Sequence, residues 1–166
     1  MAAGATYTPI ATTTFGGSST SYTFTSIPST YTDLRLIVSF TGVSGCNFST
    51  RVGNGSIDSG TNYSYTRLYG NGSSTASSNS SNDSFLTANI TVGSSGSNSV
   101  IEIMNYSNTT TYKTALHRFN DAGAIVFAIV GMWRNTAAIN QVQLYSTNGT
   151  NFGSGTVATL YGIAAA

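Results

Sequence analysis

The side chains able to do acid–base or nucleophilic chemistry are few: Asp33, Asp58, Asp83, Glu102, Asp121, the single His117, the single Lys113 and the single Cys46. A two-carboxylate hydrolase needs two acids converging within roughly 5 to 9.5 Å, and no two of these lie close in sequence. Asp33 follows a turn, and Asp58 and Asp83 stand in loop-like contexts, where a carboxylate usually caps a turn or is solvated. Glu102 alternates with apolar residues in VIEIM. It is either a solvent or interface residue facing Arg or Ser, or half of a buried ion pair. His117 has no clustered Cys or acids to make a metal site and reads as a satisfied, half-buried histidine. Cys46 cannot form an intrachain disulfide and reads as a small buried hydrophobe. Lys113 could form an isopeptide crosslink only with an Asn or Asp that nothing in the sequence specifies. No GxSxG, GxxxxGK[ST] or helix-opening GxGxxG is present. The two GNG triplets, 53–55 and 70–72, lie among strands and read as tight turns. We therefore expect no enzyme, no cofactor and no bound metal.

One further group could bind rather than react. Tyr63, Tyr65, Arg67 and Tyr69 cluster ahead of a polar stretch. Tyr beside Ser, Asn and Gly suits adaptable surfaces and stacking on sugars or a partner. Equally, the alternate spacing is what tyrosines paired across strands would show.

The elements that would hold these residues are strands. Runs of β-branched and aromatic residues recur between Gly, Ser, Asn and Pro clusters, and helix formers are scarce. SYTFTSI places Tyr22 and Phe24 on one face before Pro28 ends it. LRLIVSF places Leu34, Leu36, Val38 and Phe40 on one face. INQVQLYS puts Val142 and Leu144 on one side, Gln141 and Gln143 on the other. NFSTRV, NYSYTRLY, FLTANITV, VIEIMNYS and TVATLYGI read as further strands, whereas TYKTALHRF alternates less cleanly. AIVFAIVGMW (124–133) is continuously apolar and reads as a strand buried on both faces. GNGSSTASSNSSNDS (70–84) has no periodicity and reads as a long surface loop. Residues 1–17 lack alternation, contain Pro9 and a GG pair, and read as an extended arm preceding one domain, 18–166. Roughly eight to ten strands with no helical crossovers make an all-β, antiparallel two-sheet β-sandwich, jelly-roll-like.

Bulk properties narrow the function. Charged residues are 7% of the 166, against roughly a quarter in an average soluble protein, while 40% are hydrophobic and 11% aromatic, enough for a core. The formal net charge is +1 and the six basic residues are scattered, so nucleic-acid binding has no electrostatic footprint. The opening MAAGATYTPIATTTFGG shows no secretory-signal pattern. The apolar stretch 122–133 is too short to cross a bilayer, which takes about 20 residues, so no membrane partner is expected. A chain without mixed surface charge is suited to neighbours.

Two segments resemble small virion structural proteins of tailed bacteriophages. YTFTSIPSTYTDLRLIVSFTG carries Ile27, Pro28, Tyr31 and Leu34 in an aromatic-x-Phe-x-x-Ile-Pro-x-x-Tyr-x-x-Leu pattern. AINQVQLYSTNGTNFGSGTVATLYGI ends with Phe152, Gly155, Leu160, Tyr161, Gly162 and Ile163 in the matching C-terminal pattern. The resemblance implies a virion protein, made in the host cytoplasm. It would be a capsid decoration (cement) protein bridging capsomers, and a homotrimer that binds the major capsid protein or other virion proteins. The surfaces expected to meet neighbours are the arm, through Tyr7, Pro9, Ile10 and Phe15, and the face of Gln141 and Gln143. The alternatives are a tail-fibre or tail-tip component contacting host glycans through Tyr63, Tyr65, Arg67 and Tyr69, and a stand-alone carbohydrate-binding module.

Overall fold

The computed structural model describes residues 6–41, 43, 45–94, 96–121 and 125–164. Residues 1–5 of the expected arm and Ala124 of the apolar run lie outside them. Among the described residues there are thirteen strands and no helix. They are β1 (Tyr7–Thr14), β2 (Ser21–Phe24), β3 (Asp33–Phe40), β4 (Cys46–Asn54), β5 (Ser56–Ile57), β6 (Tyr63–Gly70) and β7 (Thr75–Asp83). The rest are β8 (Ile90–Val92), β9 (Ser97–Met104), β10 (Lys113–Asp121), β11 (Ile125–Trp133), β12 (Gln141–Ser146) and β13 (Val157–Ile163). Eight form one sheet in the order β1-β13-β3-β9-β10-β11-β6-β7. The other five form a smaller sheet, β2-β12-β4-β5 with β8 also on β4. The recorded strand pairings are antiparallel. The chain passes repeatedly between the sheets, so the expected two-sheet sandwich is the fold.

The core follows from alternation. Leu34, Leu36, Val38 and Phe40 of β3, Ile101 and Ile103 of β9, and Val142 and Leu144 of β12 all point between the sheets and are buried. Aromatic rings fill one end, with Phe15 against Phe152 at 4.6 Å and Phe40 against Phe48 at 4.7 Å between centroids. The two segments that carry the phage resemblance are neighbours: β3 pairs with β13, Leu36 opposite Leu160 and Leu34 opposite Gly162. The missing side chain of Gly162 is a packing requirement, because a Cβ there would stand 2.3 Å from the Tyr31 ring. Tyr31 is anchored in turn, its N–H donating to the Tyr106 hydroxyl at 3.4 Å, and that hydroxyl donates to the Pro28 carbonyl. The Ile-Pro-x-x-Tyr and Leu-Tyr-Gly-Ile patterns are therefore two halves of one contact.

Three expectations are corrected. The described part of the arm is not free: β1 lies along β13 as an edge strand, with a bulge between Pro9 and Ala11. An edge tolerates a proline that lacks an N–H, which is why the segment reads poorly as a strand and still is one. Residues 75–83 of the expected loop form β7, paired along β6; Ser and Asn have weak strand preference, and the partner supplies what propensity does not. The apolar run is not buried on both faces. β11 alternates, with Ile129, Gly131 and Trp133 buried and Val126, Ala128, Val130 and Met132 exposed.

Candidate functional site

The exposed half of β11 belongs to a larger surface. Register places Leu68 opposite Ala128, Val130 opposite Leu116, and Leu116 opposite Glu102. Residues directly opposite share a face, so Leu68, Leu116, Val126, Val130, Met132 and Met104 all stand on the outer face of the eight-stranded sheet. Leu68 is 60% exposed, Val126 58% and Val130 49%. Four neighbouring strands span about 14 Å and the stretch from Val126 to Met132 about 20 Å. That makes a patch on the order of 300 Å², the size at which exposed apolar surface on a monomer is often functional. A shallow groove of about 1000 Å³ runs across it, lined by Leu68, Val126, Val100, Asn98, Arg118 and Thr75 among others.

The charges on this face form one cluster. Glu102 Oε1 lies 3.6 Å from Arg35 Nη1 and 3.3 Å from Arg118 Nη2, the pairing set by the Arg35–Glu102 register of β3 and β9. Arg35 also donates to the Tyr7 hydroxyl at 2.7 Å, with its guanidinium over the Tyr7 ring. The Arg118 side chain remains 63% exposed. Glu102 is thus a half-buried acid between two arginines, and Asp33 stands on the same face of β3 as Arg35. Such partly exposed pairs contribute at most about 1 kcal/mol each to stability; their consequence is directional, because Arg118 is left to meet an acceptor outside.

The other reactive groups are occupied structurally. Asp58 accepts from Trp133 Nε1 at 2.8 Å, Asn62 Nδ2 at 2.9 Å and the Gly60 N–H at 2.9 Å. Burial pushes its carboxyl up, but these donors outweigh burial and hold it below the usual carboxylate range. Asp33 accepts from the Asn105 N–H and Asp83 from the Ser84 N–H. Lys113 Nζ donates to the carbonyls of Thr111 at 2.7 Å and Thr136 at 3.0 Å, and burial draws its pKa down. Cys46 is buried, which raises its thiol pKa away from the reactive thiolate. His117 is fully inside, more buried than its sequence context suggests. Its Nε2 is 2.8 Å from Ser99 Oγ, its ring packs on Phe48 and Phe119, and burial pushes its pKa down to about 3. Among the described residues no group of three or more His, Cys, Asp or Glu is placed to hold a metal.

The residues singled out for binding divide. Tyr63 is completely buried, its hydroxyl donating to the carbonyls of Val52 or Asp58, so it is no contact residue. Phe15 is buried too, and Ile10 packs partly against the core; of the arm set, Tyr7 and Pro9 are exposed. Tyr65 stacks on Phe85 at 6.0 Å, and Tyr69 lies 5.4 Å from Phe127. Arg67 sits over both Tyr69 and Phe127 and donates to Ser78 Oγ at 2.6 Å. Tyr63, Tyr65, Arg67 and Tyr69 share the inner face of the sheet, where they tie β6 to its neighbours. Gln141 and Gln143 point out from the smaller sheet, donating to the Gly55 carbonyl at 3.1 Å and Thr23 Oγ1 at 3.2 Å. The patch on the outer face was missed by sequence reasoning. Its signal was the unbroken apolar run of β11 together with Leu68 and Leu116.

No protein-family model matches the chain, and no curated protein matches its sequence. Among solved structures the chain is similar to a single mutant of congerin II, at 16% identity and TM-score 0.38, over 84% of this chain and 98% of that one. It is similar to CG-16, a homodimeric agglutinin from chicken liver, at 8% identity and TM-score 0.36, over 83% and 98%. It is also similar to a sucrose-6-phosphate hydrolase from Lactobacillus gasseri, at 8% identity and TM-score 0.32, over 86% of this chain and 28% of that one. No residue role passes from these proteins to this chain.

Proposed function

We propose that this chain is a non-enzymatic virion structural protein of a tailed bacteriophage that decorates the capsid shell and docks on it through the outer face of the eight-stranded sheet. The observation that carries the reading is the uncovered apolar patch of Leu68, Leu116, Val126 and Val130. An isolated domain leaves such a face unpaired at the cost of solubility, whereas an uncharged face desolvates cheaply against a neighbour. The chemistry of the fitting surface follows: mainly apolar, with a hydrogen-bond acceptor opposite the exposed Arg118. The phage resemblance supplies the class of neighbour, and its two motifs meet in one contact of this fold.

The test is cryo-electron microscopy of particles of the virus that encodes this chain, made with the wild type or with Leu68→Asp/Val130→Asp. Both positions are exposed, so the substitutions leave the core untouched. The expected result is wild-type density over the joints between capsomers and none for the variant. Density confined to the tail would favour the tail component that contacts host glycans. Absence from the particle would overturn the virion reading altogether.

A further inference from the structure

Three asparagines precede a glycine: Asn54, Asn71 and Asn148. At such a pair the glycine nitrogen can approach the asparagine carboxamide carbon with no Cβ in the way. Each of the other asparagines precedes a residue that carries one. The structure treats the three pairs differently. At Asn54, the last residue of β4, Nδ2 donates to the Ala138 carbonyl at 2.7 Å, and the Gly55 N–H donates to Asn140 Oδ1 at 2.8 Å. Leaving group and attacking nitrogen are both engaged there. At Asn148, Nδ2 donates to the Gly45 carbonyl at 2.8 Å, while Oδ1 accepts from the Asn47 N–H at 3.1 Å and from Ser146 Oγ at 2.9 Å. That carboxamide is clamped to a segment distant in sequence. Asn71 opens the exposed turn 71–74 between β6 and β7. Its carboxamide bonds only within its own turn. Oδ1 accepts from the N–H groups of Ser73 at 3.1 Å and Ser74 at 2.8 Å, and from their hydroxyls at 3.1 and 3.2 Å. Among the described residues neither Asn71 Nδ2 nor the Gly72 N–H has a hydrogen-bond partner.

We propose that Asn71 is a site of spontaneous covalent modification, at which the Gly72 nitrogen displaces ammonia from the side chain and water then leaves an aspartyl or isoaspartyl residue. The Gly72 nitrogen bonds to Cγ of Asn71 and gives up its proton. The Cγ–Nδ2 bond then breaks, and Nδ2 takes a proton and leaves as ammonia. Water opens the resulting cyclic imide at either carbonyl, so one new carboxylate forms and nothing is oxidised or reduced. Negative charge gathers on Oδ1 as the nitrogen adds, and the donors of Ser73 and Ser74 already point at that oxygen, where they stabilise it. Belonging to the same short turn, they move with the carboxamide and do not anchor it to the sheet. The product sets a negative charge beside Gly70 and Thr75, which line the groove of the outer face, in a chain with only five acidic residues. Its isoaspartyl form also lengthens the backbone of the turn by a methylene. The proposal stands on the turn alone and does not rest on the capsid-docking reading.

The test is peptide mapping by mass spectrometry of the full folded chain after incubation at mildly alkaline pH, with enzymatic methyl labelling of isoaspartyl groups. Conversion of amide to acid is expected several-fold faster at Asn71 than at Asn54 or Asn148. In guanidinium chloride, where no site is engaged, the three rates should converge. Asn140→Ala releases the Gly55 N–H and should speed conversion at Asn54 in the folded chain. Asn71→Gln, whose longer side chain disfavours the ring, should abolish conversion at that position and leave the other two sites as they were. An Asn71 that stays intact in folded protein over the time that converts the unfolded chain overturns the proposal. So does an Asn54 or Asn148 that converts as fast as Asn71 when folded, a ranking that persists unchanged in denaturant, or an Asn54 rate that Asn140→Ala does not move.

Discussion

The sharpest consequence of the fold concerns His117 and acid. The imidazole lies between Phe48 and Phe119, bonded through Nε2 to Ser99, and no acceptor in the described residues reaches Nδ1. A second proton would therefore be buried without a partner, which is why the folded pKa falls to about 3 from an ordinary 6.5. Above pH 6.5 folded and unfolded chains hold the same number of protons there. As pH drops through 6.5, the unfolded chain takes up a proton that the folded chain refuses, and stability falls by about 1.4 kcal/mol per pH unit. The slope continues down to about pH 3 and then levels off. Between pH 6.5 and 4.5 the loss is about 2.3 kcal/mol, and its size hardly depends on the folded value so long as that value stays below 4.5. For a domain of this length that is about 5 to 9 °C in melting temperature. The assay is urea unfolding at several pH values for wild type and Ser99→Ala/His117→Leu, which removes both polar partners so that neither is left unsatisfied. The variant should lose that slope whatever its stability at pH 7. Asp58, whose carboxyl is held low, acts in a lower window and is unaffected by the substitution. Equal slopes for the two proteins between pH 4.5 and 6.5, or an NMR titration of the native imidazole with a midpoint near 6, would refute the reasoning.

Two glycine substitutions separate rigid from yielding neighbours. A Cβ on Gly131 would stand 1.8 Å from the Leu86 carbonyl oxygen, a backbone atom of a residue whose N–H is bonded to the Thr50 carbonyl of β4. Gly131→Ala should thus cost about 3 kcal/mol or more, or prevent folding, as read by thermal melting. At Gly162 the obstacle is the half-buried Tyr31 ring, a side chain that can swing out. Gly162→Ala should cost roughly 1 to 2 kcal/mol, and Tyr31→Ala/Gly162→Ala should show much less than the sum of the single effects, because both act on one contact.

Legibility in the sequence followed the contrast between inward and outward residues. β3 and β12 alternate strongly between apolar and other residues, so their faces were readable and both stand as expected. β10 was harder because its inward residues include Lys113 and His117 while Leu116 points out, so the hydropathy pattern is blurred although the burial pattern is regular. β7 carries no hydropathy contrast at all; only its pairing with β6 makes it a strand. The Tyr63–Tyr69 cluster was visible as a group, but which side of β6 it faced depended on the register with β11, a long-range fact. The outer patch was hidden for the same reason: an apolar run looks alike whether both its faces are covered by this chain or one awaits a neighbour.

β10 and β11 bring these threads together. A slip of β10 by one residue would turn Leu116 inward and His117 outward, relieving both the exposed leucine and the buried imidazole. The native register is held instead by Ala115 and Phe119, which are buried on the same side as His117, and by the Ser99 contact from β9. The strand therefore retains a polar residue inside and an apolar one outside. A covering partner resolves half of that conflict, since Leu116 and Val130, opposite each other in register, lose their water together when the outer face is docked. Docking should then raise the cost of any opening of β10, and with it shield His117 from acid. The scarcity of charge supports the same arrangement: on this face the few ionic groups are concentrated in Arg35, Glu102 and Arg118, and the remaining contact surface can be desolvated without stripping ions of water.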